Sequence, residues 1–362
     1  MNWPYHSYFL EGRKRGIRDN RLIAILKRVN ILESNRFPIV LTLKHFSKHV
    51  RISYRMLCAI MINGYSRTFK IKKRASSESR EIHVPSPKLG IVQRWILKCI
   101  LEKASSSIYC YSYEKGISIK DCASQHIGCT WLLKFDIKNF FPNITEKHIY
   151  HIFRQFGYGK LLSFEFAMLC TVKKSLLNCN TYINAPSNYM GYLPQGAPTS
   201  PKLSNLVLRN FDNEMGEYAV ANNLVYTRYA DDIHLSTLEK NISRKKISEI
   251  MHFAYNLLRK YGFAPNEKKT HICPPGERKI VLGLVVGENG VYLQRKFKKK
   301  LELHYYHFYK YSERHCKKWG FDSIYGMYNY IRGIFNYAKL IEPNFCQHLE
   351  KKYGELKCDL FN

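Results

Sequence analysis

The chain has 362 residues, 45% of them hydrophobic and 14% aromatic, which is enough apolar material for one large body or two to three subdomains and excludes a disordered tail. Lys and Arg number 58 against 28 Asp and Glu, a formal charge of +30, and the self-repulsion this implies makes nucleic acid the expected partner. No run of 18 apolar residues exists and the N-terminus, MNWPYHSYFLEGRKR, lacks the apolar core of a signal peptide, so no membrane association is expected and the predicted location is cytoplasmic.

In chain order, residues 1–65 read as a helical lead-in, with Leu22, Ile23, Ile25 and Leu26 and then Tyr54, Leu57, Ile60 and Met61 near helical spacing. Phe69 to Pro85 suits a basic hairpin turning at Ser76, Ser77 and Ser79. Behind Ser86-Pro87 a helix is predicted from Leu89, Val92, Ile96, Leu97 and Ile100. WLLKFDIKNFF (131–141) begins as a buried strand, and Asn143 or Thr145 can cap a helix whose apolar face holds Ile149, Ile152, Phe153 and Phe156. Residues 176–192 read as a loop before LPQGAPTSPKLSN. A helix from about Ser200 to Asn222 leads to a second hairpin around Tyr229. After Leu293 the composition turns basic and aromatic: Phe297, Leu301, Tyr305 and Phe308 make one stripe of a long helix, and a second helix runs from Ser323 to Lys339. The eleven cysteines contain no CxxC pair. They read as reduced thiols, and neither Cys122 with Cys129 nor Cys170 with Cys179, beside histidines such as His126, matches a common zinc module.

Tyr229-Ala230-Asp231-Asp232 sets two adjacent carboxylates between two apolar runs, where a tight turn exposes both. Like charges so close disfavour each other's ionisation unless a cation sits there, and oxygen-only donors suit a hard metal such as magnesium. A third acid, Asp136, ends another apolar run and is followed by Phe140 and Phe141. Three strand-end acids predict two metals, the arrangement that stabilises the entering and leaving oxygens of a phosphoryl transfer.

The order FDIKNFF, LPQGAPTSPKLSN, YADD, NEKKT, IVLGL resembles that of reverse transcriptases, over roughly residues 66–355. Within that family the chain looks most like retron enzymes. CASQH (Cys122 to His126) resembles their NAxxH element without its Asn, VLG (Val281 to Gly283) their VTG triplet with Leu282 for Thr, and LEKKYGEL (Leu349 to Leu356) their C-termini.

This resemblance implies an α+β right-hand polymerase: lead-in 1–65, fingers 66–130, an antiparallel palm sheet within 131–290 that presents the acids (with 155–192 as a fingers insertion), and a helical RNA-binding thumb at 291–362. It implies Asp136, Asp231, Asp232 and the Ile137 backbone as ligands of two Mg2+ ions, with Mn2+ as a substitute, and Lys269, or its neighbour Lys268, as the general acid for pyrophosphate. Lys73, Arg80, Phe141, Gln195 and Gly196 would bind the dNTP, Phe141 rejecting the ribose 2′-hydroxyl. His126, Lys298, Lys299, Tyr305, Tyr309 and Arg314 would hold a structured noncoding RNA of the msr-msd type. From a guanosine 2′-OH of that RNA the enzyme would synthesise single-stranded msDNA, leaving an RNA-DNA hybrid, within an anti-phage defence system. The implied partners include an effector protein encoded nearby and host RNase H, since the sequence contains no RNase H module. Competing readings are a reverse transcriptase of another lineage, group II intron-like or from another defence system, and an RNA-DNA scaffold restraining a toxic effector.

Overall fold

The computed structural model describes residues 3–72, 79–173 and 191–356. Two compact units emerge, each discontinuous in sequence: Met1–Glu114, Ile137–Met215 and Phe253–Pro265 in the first, Lys115–Asp136, Gly216–His252 and Asn266–Asn362 in the second. They cut across the predicted stretches 66–130 and 131–290, because the chain leaves the first unit after Glu114 and returns at Ile137.

In the first unit, helices Tyr5–Lys14, Asp19–Ser34, Leu43–Val50 and Tyr54–Asn63 make the lead-in. Two of them begin at hydroxyl caps, Thr42 and Ser53, which accept otherwise unpaired backbone N–H groups. Phe46, fully buried, anchors this layer edge-on against Trp95 and Phe166 at 5.1 and 4.9 Å. The basic hairpin forms from β1 (Tyr65–Lys72) and β2 (Ser79–Pro85), with Ile71 opposite Arg80. Its first strand starts four residues before Phe69, Ser79 pairs with Lys72 in the ladder instead of lying in the turn, and Ser76 and Ser77 lie outside the described residues. Ser86 then accepts from Leu89 N–H and starts the Pro87–Cys99 helix. The Glu146–Gln155 helix buries Ile149, Ile152 and Phe153. The helix predicted from Ser200 to Asn222 is two, Ser200–Val207 and Arg209–Ala221. Leu208 ends one and its carbonyl accepts from Asp212 N–H at the start of the other (2.8 Å). Leu203, Leu206, Phe211 and Met215 are buried on both sides of that joint, so apolar spacing alone does not reveal it.

The second unit is built on a four-stranded antiparallel sheet, order β4-β5-β3-β6, formed by β3 (Trp131–Asp136), β4 (Val225–Tyr229), β5 (Asp232–Thr237) and β6 (His271–Cys273). Ile233, His234, Leu235 and Ser236 are buried in succession, so β5 is covered on both faces. A smaller sheet follows, of β7 (Ile280–Val281), β8 (Leu284–Val286) and β9 (Val291–Tyr292). Helices Arg295–Trp319, Ile324–Ile341 and Pro343–Tyr353 close the unit, and Leu301, Tyr305, Met327, Ile331, Phe335 and Leu349 share one core with Leu132, Val281 and Leu284. The long helix predicted after Leu293 is present but broken at Tyr311 (φ −145°, ψ 39°). Among the described residues, no helix is long and apolar enough to cross a membrane.

Candidate active site

Antiparallel pairing of β3 with β5 sets Asp136 directly opposite Asp232 at one end of the sheet. Tyr229 also pairs with Asp232, so Ala230 and Asp231 form a two-residue turn between β4 and β5. Ala230 takes the left-handed φ of 55° that such turns demand, although it is not glycine. Beneath the turn, the fully buried Arg228 guanidinium donates to the Ala230 carbonyl at 3.0 Å. A buried charge needs such partners.

The third approach comes from NEKKT. Asn266 N–H donates to the Asp136 carbonyl at 2.7 Å, docking the Glu267–Lys269 turn on the end of β3. Lys269 Nζ reaches Asp136 Oδ2 at 2.5 Å. The hydrogen bond to Asp136 raises the lysine pKa most, and the charges of Asp136, Asp231 and Asp232 add to it against the effect of burial. One ammonium thus feels all three carboxylates. The donors are carboxylate oxygens and their field already attracts a cation, so the residues present fit a hard divalent ion.

In the first unit, one loop organises the described residues expected at the nucleotide. His83 N–H donates to the Gln195 carbonyl at 2.8 Å. The His83 ring bridges Thr68 Oγ1 and Tyr192 OH, both at 3.1 Å, tying the hairpin to the loop. Gly196 sits at φ 108°, and a Cβ there would lie 2.8 Å from the His83 carbonyl oxygen. On its other side the loop is pinned by Leu193 N–H to Ile144 O and Glu146 N–H to Gly191 O, each 2.8 Å, just past the Phe140–Asn143 helix that carries Phe141. Phe140 is buried against Phe263 while Phe141 is half-buried beside it. Arg80 is exposed on β2, and Lys73 lies outside the described residues.

Against this geometry, the reverse transcriptase (RNA-dependent DNA polymerase) family model matches residues 71–305. The chain is 32% identical to the Retron Ec86 reverse transcriptase of Escherichia coli, over 88% of this chain and 92% of that one. The chain belongs to the reverse transcriptase family, in its retron-type branch. It is also 28% identical to the Retron Ec83 reverse transcriptase of Escherichia coli, over 80% and 87% of the two chains. To the Retron Mx162 reverse transcriptase of Myxococcus xanthus it is 28% identical, over 62% and 47%. A solved telomerase of Candida albicans, in complex with a fragment of telomeric RNA, aligns at a TM-score of 0.42 and 13% identity over 79% and 56% of the chains, a likeness too weak to add to the assignment. This reverse transcriptase therefore has the α+β right-hand polymerase fold, RNA-directed DNA polymerase activity, an RNA template and a dependence on divalent metal.

Two residues expected at the RNA are not at the surface. His126 is 1% exposed, with Nδ1 2.7 Å from Ser236 Oγ on β5 and Nε2 2.8 Å from Thr227 Oγ1 on β4. By bridging β4 and β5 it braces the two strands of the acid-bearing hairpin. Tyr305 is fully buried, its hydroxyl donating to the Gly354 carbonyl at 2.7 Å. Lys298 is half-buried and paired with Glu342 at 2.5 Å. Lys299, Tyr309 and Arg314 are exposed. Of the two candidate lysines in NEKKT, Lys269 is the one whose amine is paired with Asp136. Ile137 is buried, and its backbone pairs with Pro265. Sequence reasoning missed Arg228 and His83; a charged residue one step inside an apolar strand, as in VYTRYA, is the signal that marks Arg228.

Proposed function

We propose that this reverse transcriptase copies a structured noncoding RNA of the msr-msd type into msDNA, primed from a guanosine 2′-hydroxyl, as part of an anti-phage defence system. The observation that carries this reading is the match to the Retron Ec86 enzyme over nearly the whole of both chains. Asp136, Asp231 and Asp232, with the Ile137 carbonyl, are the proposed ligands of two Mg2+ ions, for which Mn2+ substitutes. When bound, such ions stabilise the entering and leaving oxygens. Lys269 keeps its proton in the field of the carboxylates, the state required of a donor to departing pyrophosphate. Lys73, Arg80, Phe141, Gln195 and Gly196 bind the dNTP, and Phe141 excludes a 2′-hydroxyl. Lys298, Lys299, Tyr309 and Arg314 contact the RNA by charge and stacking. An effector encoded nearby and host RNase H complete the system.

The test is to express the chain with the noncoding locus beside its gene and sequence the nucleic acid that copurifies. A 2′–5′ branched RNA-DNA species, absent from Asp231→Asn, is expected. Intron RNA or untemplated DNA would assign the chain to another lineage. An Asp231→Asn protein that still makes DNA would remove the carboxylates from the chemistry.

A further inference from the structure

A second donor cluster, unlike the first in chemistry, lies on β6 and the turn after it. His271 and Cys273 stand two apart on the strand, so both side chains leave the same face. Pro274-Pro275-Gly276-Glu277 then folds back, with Glu277 N–H donating to the Pro274 carbonyl at 3.2 Å and Gly276 at φ 84°. Proline second and glycine third with positive φ is the pattern of a type II turn. Lys279 Nζ also donates to the Pro274 carbonyl (2.8 Å) and holds the turn in place. Glu277 Oε1 returns to 2.7 Å from His271 Nε2, and the ring nitrogen, the Cys273 sulfur and a Glu277 carboxylate oxygen all lie within 4.8 Å of one another.

A histidine and a glutamate at a surface make an ordinary ion pair worth little. What distinguishes this pair is the sulfur beside it. Cys273 is fully buried and opposite Leu132 of β3, so its position is fixed by the sheet, whereas the His271 and Glu277 side chains are 49% and 39% exposed and free to adjust. Metal–donor bonds of roughly 2.0–2.3 Å in a tetrahedron put donor atoms about 3.3–3.8 Å apart, so the cluster needs to shift by only about 1 Å. We propose that His271, Cys273 and Glu277 bind one zinc-class divalent ion, with water from the open side as the fourth ligand. The mixed nitrogen, sulfur and oxygen donors select such an ion over Mg2+, which takes oxygens. Coordination requires the thiolate, so binding expels the Cys273 proton to solvent. The ion would clamp the short strand that follows Lys269, two residues before His271.

The purified full-length protein, stripped with chelator, would be titrated with Co2+ in excess Mg2+ without nucleotide or RNA. One Co2+ per chain with a thiolate-to-metal charge-transfer band, displaced by Zn2+, is expected. Cys273→Ser should abolish the band. His271→Ala and Glu277→Gln, at exposed positions that leave the core intact, should each weaken binding by at least the roughly 10–100-fold that loss of an outer-shell partner costs. Absence of the band, its survival in Cys273→Ser, or unchanged affinity in both exposed variants overturns the site.

Discussion

At Lys269 a single ammonium meets the field of three carboxylates, while Lys268 has its side chain in solvent. A general acid contributes about 10²–10⁴-fold to a rate. Lys269→Ala is therefore expected to slow single-turnover incorporation on a primed RNA by that order, and Lys268→Ala by less than about threefold. Equal effects of the two substitutions would return the role to an open choice. His126 calls for a different measurement. Its removal leaves the Ser236 and Thr227 hydroxyls without their ring partner, at a cost of about 1–3 kcal/mol. His126→Ala should lower the urea midpoint and leave affinity for RNA unchanged; lost RNA binding at unaltered stability is the result that sinks the bracing role. The acids were legible in the sequence because residue type, adjacency and strand-end position are all local. His126 was found but misplaced, and Arg228 and His83 were not found, because their partners are fixed by the pairing of distant segments.

Among the elements, the hairpins and capped helices were legible from turn chemistry and apolar spacing, both short-range signals. The joint at Leu208 and the break at Tyr311 were not, since burial continues past the first and the apolar stripe spans the second. Two glycines separate conformational from steric demands. Gly283, at φ 83° between β7 and β8, has nothing within 4 Å of an added Cβ. Gly283→Ala should therefore cost only the left-handed strain, about 1–2 kcal/mol. Gly196→Ala adds a clash with the His83 carbonyl to similar strain, and the loop it sits in is clipped to β2. It is expected to raise the KM for dNTP as well as lower stability. Identical thermal shifts in the two variants, with KM unmoved, would show that the loop does not depend on that close approach.

For the whole molecule, the charge of +30 was the first legible feature and the compact units the least, because no composition shift marks where the chain leaves one unit for the other. Two buried histidines of the second unit, His126 and His234, contribute to acid stability. Burial lowers His126 to about 4 and His234 to about 3, from an ordinary 6.5, with the neighbouring His126 a lesser influence on His234. The unfolded chain takes up these protons first, so the stability they confer is whole above pH 6.5 and is lost as pH falls from there toward 4 for His126 and toward 3 for His234. For His126 alone this amounts to about 3 kcal/mol. The fall in urea midpoint from pH 6.5 to 4.5 should be shallower in His126→Ala than in the parent, and parallel curves would contradict the assignment.

The interleaving of the two units also dictates the order in which a nascent chain can finish them. The last residue of the first unit is Pro265, so that unit is complete while the ribosome still holds the remaining segment of the second. Strand β3, translated long before, waits for β5 and then for β6 with both of its edges bare. Edges of that kind invite pairing with other chains. Yield during synthesis will accordingly depend on whatever shields the Asp136 strand in that interval, and the sheet that carries the three acids is completed only when β6 has emerged.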